Sequence, residues 1–223
     1  MKIIQTQTLL ACTAAAAAAF AGSANAALIL IDIGDQEVPT NPVDGTTYWN
    51  TVGSIGGDPD TTTNLVDTDN NNTFASISIT PPTGSGSDGF HNSGDETTTG
   101  PLNQGFATTD SLFISNSGAN VPITITGLKA NTAYTISAFG DGPVSSTLAV
   151  TTGTGSNLSL PNNGTLVSQS ITSDASGVIG LEFQGRRVWL PAISIEGEFV
   201  PEPSSLALLG LGGLLIGARR RRG

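Results

Sequence analysis

Cysteine and histidine are almost absent from this chain, which has one of each, Cys12 and His91. A single cysteine excludes an internal disulfide, and a single histidine excludes a metal centre built on several imidazoles. The sequence also lacks a Gly-x-Ser-x-Gly motif and a glycine-rich phosphate loop that follows a strand. Serine hydrolases, nucleotide-binding enzymes and histidine-based metalloenzymes are therefore disfavoured.

Positive charge is equally scarce in the central part of the chain. Residues 27–199 contain three basic residues, Lys129, Arg186 and Arg187, against seventeen acidic ones, a net charge near −14. A field of this sign repels nucleic acid and anionic lipid, and it favours solubility and the binding of divalent cations. We therefore predict that nucleic acid is not a partner of this protein.

The N-terminus has the three parts of a secretory signal peptide. Lys2 supplies a positive charge, residues 9–22 form an apolar, alanine-rich stretch, and Ala24-Asn25-Ala26 is a small-x-small cleavage site. We predict cleavage after Ala26 by signal peptidase, which removes residues 1–26 and the cysteine with them. The alternatives are an N-terminal membrane anchor and lipidation at Cys12, for which the preceding apolar region is short.

The C-terminus, VPEPSSLALLGLGGLLIGARRRRG (200–223), places a short apolar run between Pro-Glu-Pro and four arginines. Residues 206–218 carry no charge and span about 20 Å as a helix, at roughly 1.5 Å per residue. A bilayer core of about 30 Å needs ~20 residues, so this helix can enter a membrane but is a poor permanent anchor. The arginines are expected to stay cytoplasmic, which places residues 27–199 outside.

The Pro-Glu-Pro also has a mechanical role. Proline fixes its own φ and disfavours helix in the residue before it, so Pro201 and Pro203 hold Glu202 extended. An extended peptide beside a membrane is a conformation that a protease active site can bind. The order of these three parts therefore predicts a processing signal.

The same three parts resemble the PEP-CTERM sorting signal of exported bacterial proteins. The resemblance implies that an exosortase, a membrane-embedded protease, recognises the tail and removes it after transient anchoring by the helix. It also implies a final location at the cell surface or outside the cell. The alternative is an ordinary C-terminal anchor. The residues that carry the signal are Pro201, Glu202, Pro203, Arg219, Arg220, Arg221 and Arg222.

The body, residues 27–199, shows the two-residue periodicity of β-strands and almost no helical periodicity. Nine or ten short strands, separated by turn signals, predict an all-β, antiparallel β-sandwich or jelly roll. The stretch 83–109 is expected to be a long loop with one short strand near Phe106. The clearest strands are predicted at 28–33, 48–52, 74–79, 112–115, 121–126, 134–139, 147–152, 166–171, 178–183 and 188–195.

Two local patterns refine this prediction by resemblance. The segment from Leu128 to Tyr134 is similar to the corner before a central strand in immunoglobulin-like sandwiches, where the tyrosine hydroxyl bonds to the backbone. The order of segments along the body resembles galactose-binding-like jelly-roll domains of exported proteins. These resemblances imply that Tyr134 is structural and that the body is a jelly roll.

Calcium is the ligand that the body favours most. Asp67, Asp69 and Asn71 supply oxygens at positions 1, 3 and 5 of an EF-hand-like loop. The pattern then fails, because Asn72 stands where glycine is needed and Ser78 where a bidentate glutamate belongs. A true EF-hand is excluded, which leaves a loop calcium site or, as the alternative, an Asx-rich turn.

Aromatic side chains raise the question of glycan binding, since sugar rings stack on exposed tryptophan. Trp49 lies near the predicted loops, and Trp189 is expected to share a strand face with Arg187. We expect Trp49 to be at least partly buried and Trp189 to be the more exposed of the two. The alternative for Trp189 and Arg187 is a covered surface patch.

Together these features predict an exported, non-enzymatic structural or binding component of extracellular polymer, with extracellular polysaccharide as the expected partner of the body. One rival is a carbohydrate-binding module with a defined glycan ligand. A second rival is a secreted hydrolase with paired carboxylates, for which Asp32 at the end of the first strand is the one candidate. A turn residue at a strand end is the simpler interpretation of Asp32.

Overall fold

A computed structural model describes residues 26–34, 46–53, 60–81, 89–91, 102, 110–115 and 119–199, which lie within one compact unit, Asn25–Val200. These residues form β-strands and no α-helix, so the all-β prediction is confirmed. The strands are β1 (Ala26–Ile33), β2 (Asn50–Val52), β3 (Asp60–Thr62), β4 (Ser76–Ile79), β5 (Gly89–His91), β6 (Ser111–Ile114), β7 (Val121–Thr126), β8 (Ala133–Ala138), β9 (Ser146–Thr152), β10 (Thr154–Gly155), β11 (Leu158–Leu160), β12 (Val167–Thr172), β13 (Ile179–Gln184), β14 (Val188–Leu190) and β15 (Ala192–Glu198).

The strand count exceeds the nine or ten predicted, because several strands have only two or three residues. Short pieces such as β3 (Asp60–Thr62) and β10 (Thr154–Gly155) carry too few residues to show a two-residue period. Strand β5 (Gly89–His91) lies in the stretch predicted as a long loop. Phe106, the signal peptide and the C-terminal helix lie outside the described residues.

The strands form two six-stranded sheets and one three-stranded sheet. The first sheet has the order β10-β12-β8-β15-β1-β2, and the second has the order β11-β9-β13-β7-β4-β3. The third sheet has the order β14-β6-β5. Neighbours pair antiparallel in all three sheets except for β1 and β2, which run parallel.

One hydrophobic core joins the two large sheets. Alternate residues of each strand face this core, which explains the two-residue pattern in the sequence. Strand β7 buries Val121, Ile123 and Ile125 and turns the intervening residues outward, as the two-residue period requires. Buried residues of β1, β8 and β15 from the first sheet belong to the same core. Two sheets that share one core are consistent with the β-sandwich that was predicted.

Strand β1 is buried on both faces, which explains its nearly continuous apolar sequence. Ile29, Ile31 and Ile33 face the core between the large sheets. Leu30 faces the other way and joins a smaller apolar cluster. This outer cluster, as we call it, consists of Leu30, Trp49, Leu102, Phe139 and Ala192.

The last predicted strand, 188–195, is two strands in the structure. Strand β14 pairs with β6 in the third sheet, whereas β15 pairs with β1 and β8 in the first sheet. The change occurs at Pro191, which has no N–H to donate and therefore interrupts a hydrogen-bonded ladder. Its carbonyl accepts a hydrogen bond from the amide of Ile33 at 2.8 Å. The chain thus passes from one sheet to the other at a proline.

Tyr134 has the structural role predicted for it. Its hydroxyl accepts a hydrogen bond from the amide of Lys129 at 2.8 Å and donates one to the carbonyl of Glu198 at 2.6 Å. The ring is almost fully buried. The side chain therefore ties the turn before β8 to the end of β15, and a resemblance based on seven residues correctly identified this contact.

Candidate functional site

Of the residues predicted to take part in processing, the structure describes only Ala26. Ala26 is the exposed first residue of β1 and pairs with Glu198. Ala24 and all seven residues of the sorting signal, Pro201, Glu202, Pro203 and Arg219 to Arg222, lie outside the described residues. Among the described residues, no helix is long and apolar enough to cross a membrane.

The loop predicted to bind calcium is closed by its own hydrogen bonds. Oδ1 of Asp67 accepts bonds from the amides of Asp69 at 2.9 Å and Asn71 at 2.8 Å. The side-chain amide of Asn71 donates to both oxygens of the same carboxylate, at 3.2 and 3.0 Å. These bonds form an Asx turn, and calcium binding by Asp67, Asp69 and Asn71 stays a prediction.

Trp49 belongs to the outer cluster, where only 2% of its surface is exposed. This confirms the expectation that it is at least partly buried. A ring that is covered on both sides offers no face on which a sugar could stack. The structure therefore places Trp49 in a packed interior rather than at a glycan-binding surface.

The neighbour of Trp49, Asn50, holds three parts of the chain together. Its Nδ2 donates hydrogen bonds to the carbonyls of Leu30 at 3.0 Å and Val66 at 2.8 Å. Its Oδ1 accepts a bond from the amide of Val66 at 2.8 Å. The side chain is 4% exposed; its bond to Leu30 lies in the buried interior, and its two bonds to Val66 are partly buried.

Trp189 lies in the third sheet beside two aromatic side chains that the sequence interpretation had left unassigned. It stands opposite Phe113 on β6, with the rings stacked at a centroid distance of 4.7 Å and an angle of 27°. His91 on β5 meets Phe113 edge-on at 5.5 Å and 89°. All three side chains are partly exposed. We call this row of rings the aromatic row.

The aromatic row follows from strand alternation. Leu112 and Ile114 of β6, and Val188 and Leu190 of β14, are buried in the main core. The residues between them, Phe113 and Trp189, must then face outward. The signal was present in the sequence, but three-residue strands are too short to show which face is buried before their pairing is known.

Arg187 does not share the strand face of Trp189 by alternation. It lies before β14 with a left-handed φ of 55°, and its amide donates to the carbonyl of Ser115 at 3.1 Å. Its side chain is exposed. The alternation that was used to pair Arg187 with Trp189 begins only at Val188, so the basis for that pairing is removed.

Asp32 is fully buried, with Asp110 as its electrostatic neighbour. Burial and, to a smaller extent, the negative charge of Asp110 raise the pKa of Asp32 to about 9, while the amide of Ile33 acts in the opposite direction. Asp110 and the adjacent Ser111 are also fully buried. Within the described residues there is no group of three or more His, Cys, Asp or Glu side chains arranged to hold a metal ion.

Comparison with known proteins identifies the C-terminal segment. Residues 199–222 match the family model described as the PEP-CTERM protein-sorting motif. A search of the curated proteins found no match to the chain. The matched motif supports export and exosortase-type processing, with membrane-associated sorting toward the cell surface.

Proposed function

We propose that this protein is a component of the extracellular polymer at the cell surface. An exosortase processes its tail, and its β-sandwich body serves as a non-enzymatic structural or binding element. The observation that carries the proposal is the sorting motif at residues 199–222. The signal peptide predicted at residues 1–26 and the acidic body are consistent with export. A galactose-binding-like jelly roll is our proposed fold for the body, and two facing six-stranded sheets are compatible with it.

We expect the mature protein to lack the residues beyond about Pro203. The apolar run is too short for a lasting anchor, and the Pro-Glu-Pro before it is suited to cleavage. Intact-mass measurement of the protein from its native host tests this prediction. A mass that still includes Arg219 to Arg222 would contradict processing.

The arginine cluster offers a second readout of processing. Replacing Arg219, Arg220, Arg221 and Arg222 with serine removes the charge that orients the helix, so unprocessed precursor should accumulate. The matched control replaces Arg186 and Arg187 with serine, because these residues are basic and exposed but belong to the body. If the control accumulates precursor to the same extent, the effect does not come from the sorting signal.

A carbohydrate-binding module is the second candidate, and the aromatic row favours it. Sugar rings have apolar faces that stack on aromatic side chains, and their hydroxyl groups hydrogen-bond at the edges. Trp189 and Phe113 present two nearly parallel rings at the same surface, with His91 beside them. Extracellular polysaccharide of the host is the proposed ligand.

We expect Trp189→Ala or Phe113→Ala to weaken binding of that polysaccharide roughly three- to tenfold, the equivalent of about 0.5–1.5 kcal/mol for one aromatic contact. Binding to the immobilised polysaccharide is the measurement. Phe74 is the matched control, since it is an exposed phenylalanine outside the third sheet. Equal binding by the wild type and both variants would exclude the aromatic row as a glycan site and leave the structural role.

A secreted hydrolase would require two carboxyl groups about 5–9 Å apart in an open cleft. Asp32, the one acid that the sequence interpretation considered for this role, has no solvent exposure. A polysaccharide chain cannot reach a carboxyl group in that position.

A further inference from the structure

Phe199 belongs both to the body and to the sorting motif. It directly follows β15 and is 6% exposed, with its side chain in the main core. It is also the first residue of the match to the PEP-CTERM motif, which covers residues 199–222. Only Val200 stands between Phe199 and the Pro-Glu-Pro that begins at Pro201. The body and the motif therefore adjoin in sequence without a spacer.

Tyr134 fixes the chain at this junction, by which we mean Glu198 and Phe199. Its hydroxyl donates a hydrogen bond to the carbonyl of Glu198 at 2.6 Å. Its ring meets the ring of Phe199 at a centroid distance of 5.4 Å and an angle of 53°. Gly197 packs so closely against the same ring that a Cβ atom there would lie 2.5 Å from Cδ1 of Tyr134. The backbone is thus held in place up to the first residue of the motif.

The anchoring by Tyr134 does not depend on the signal peptide. Ala26 pairs with Glu198 across the ladder of β1 and β15, and cleavage after Ala26 would remove this partner. Tyr134 belongs to β8, the neighbour of β15 on its other side. Cleavage at the N-terminus leaves that neighbour untouched, so the junction stays anchored in the chain from which the tail is to be removed.

The predicted cleavage lies close to this anchored junction. Pro203, beyond which we expect the tail to be removed, follows Phe199 by four residues. Four residues reach at most about 14 Å when fully extended. A protease that binds several residues before the scissile bond as an extended strand needs backbone groups that are free to pair. The carbonyl of Glu198 is already bonded to Tyr134, and the side chain of Phe199 is buried. The folded body and the protease therefore compete for the same residues.

We propose that the folded body restrains the removal of its own tail, because Tyr134 holds the residues that the protease has to bind. The inference rests on the proposed exosortase processing of this tail. Tyr134 is a positioning residue, which acts through Glu198 and Phe199 by setting how often the end of β15 is open. Cleavage is then fastest on chains whose β15 has not yet paired, so tail removal competes with the last step of folding.

A spacer between the body and the motif tests this proposal without changing a contact of the body. The sequence Gly-Ser-Gly-Ser-Gly-Ser, inserted between Phe199 and Val200, would add up to about 20 Å of reach, so the protease no longer needs β15 to open. In the native host, pulse-labelled precursor of this variant should lose its tail several-fold faster than the wild type, as followed by intact mass. The matched control carries the same spacer between Val144 and Ser145, two exposed residues of the turn before β9, and should keep the wild-type rate.

Tyr134→Phe tests the hydrogen bond at the junction, because it removes the hydroxyl and keeps the ring. Without the bond to Glu198 the end of β15 opens more often, and tail loss should be roughly three- to tenfold faster, the change in equilibrium expected for one hydrogen bond. In the chain that carries the spacer after Phe199, the same substitution should have no further effect. A general loss of stability would instead speed tail loss in both backgrounds.

Equal or slower tail loss by the variant with the spacer after Phe199 would overturn the proposal and leave exosortase processing in place. The same acceleration by the control spacer, or an effect of Tyr134→Phe that persists beside the spacer, would overturn it as well. If the wild type and all variants keep Arg219 to Arg222, processing itself fails and this inference falls with it.

Discussion

Replacing Trp49 with alanine is expected to lower the free energy of unfolding by about 3–5 kcal/mol, the usual cost of removing a large buried aromatic side chain. Trp49 is the largest member of the outer cluster and has 2% exposure. Its loss would leave a cavity in the outer cluster that rigid strands cannot close. Total stabilities of domains are about 5–15 kcal/mol, so this one change removes a large share. Denaturant unfolding followed by circular dichroism measures the loss.

Trp189→Ala is the variant with which the stability of Trp49→Ala should be compared. Trp189 is partly exposed and stacks on Phe113, so its truncation leaves a smaller cavity and should cost less than that of Trp49. The two tryptophans therefore separate a packing role from a surface role. A larger loss of stability for Trp189→Ala than for Trp49→Ala would contradict the burial described here.

Replacing Asn50 with alanine is expected to cost about 2–4 kcal/mol. The change removes the side-chain hydrogen-bond partner of three backbone groups, which are the carbonyls of Leu30 and Val66 and the amide of Val66. Each buried polar group left without a partner costs about 1–3 kcal/mol, and water can reach part of the Val66 side. The same unfolding measurement applies.

Two further variants test the hydrogen bonds of Asn50 specifically. Asn50→Asp keeps the shape but replaces the donor with an oxygen that faces two carbonyl groups, so it should cost at least as much as alanine. Asn162→Ala is the control, because Asn162 is exposed and its side-chain bond to the carbonyl of Pro143 is 3.5 Å long. It should stay within about 0.5 kcal/mol of the wild type. Equal effects at the two asparagines would refute the role of Asn50.

Local pattern was sufficient to predict the strands that are long and alternate cleanly. Strand β7 was predicted at 121–126, the bounds it has in the structure, because its isoleucines and threonines alternate. Strand β1 was recognised from an unbroken apolar run, and the structure explains that run by the two clusters on its faces. The hydrogen bond of the Tyr134 hydroxyl could also be predicted from local sequence, since Tyr134 and the amide of Lys129 are only five residues apart.

Features that depend on long-range pairing could not be predicted in this way. The passage of 188–195 from the third sheet to the first depends on two different partners, β6 and β1, and no local pattern specifies them. The aromatic row joins β5, β6 and β14, which are distant in sequence. Asp32 was singled out as a residue of interest, but its electrostatic neighbour Asp110 is distant in sequence and could not be predicted from local pattern.

The pairing of β1 with β15 also determines the order in which this protein can fold. Ala26 at the start of the described chain lies opposite Glu198 near its end, and closing so long a loop loses entropy before any contact compensates for it. Pairs close in sequence, such as β9 with β11, can form early, whereas the centre of the first sheet must wait for the last strand. A newly made chain can pair β1 with β2 early, but the long edge of β1 that belongs to β15 stays open until the last strand is available. During that interval β1 is the segment most open to aggregation, and folding belongs to the slow, high-contact-order class.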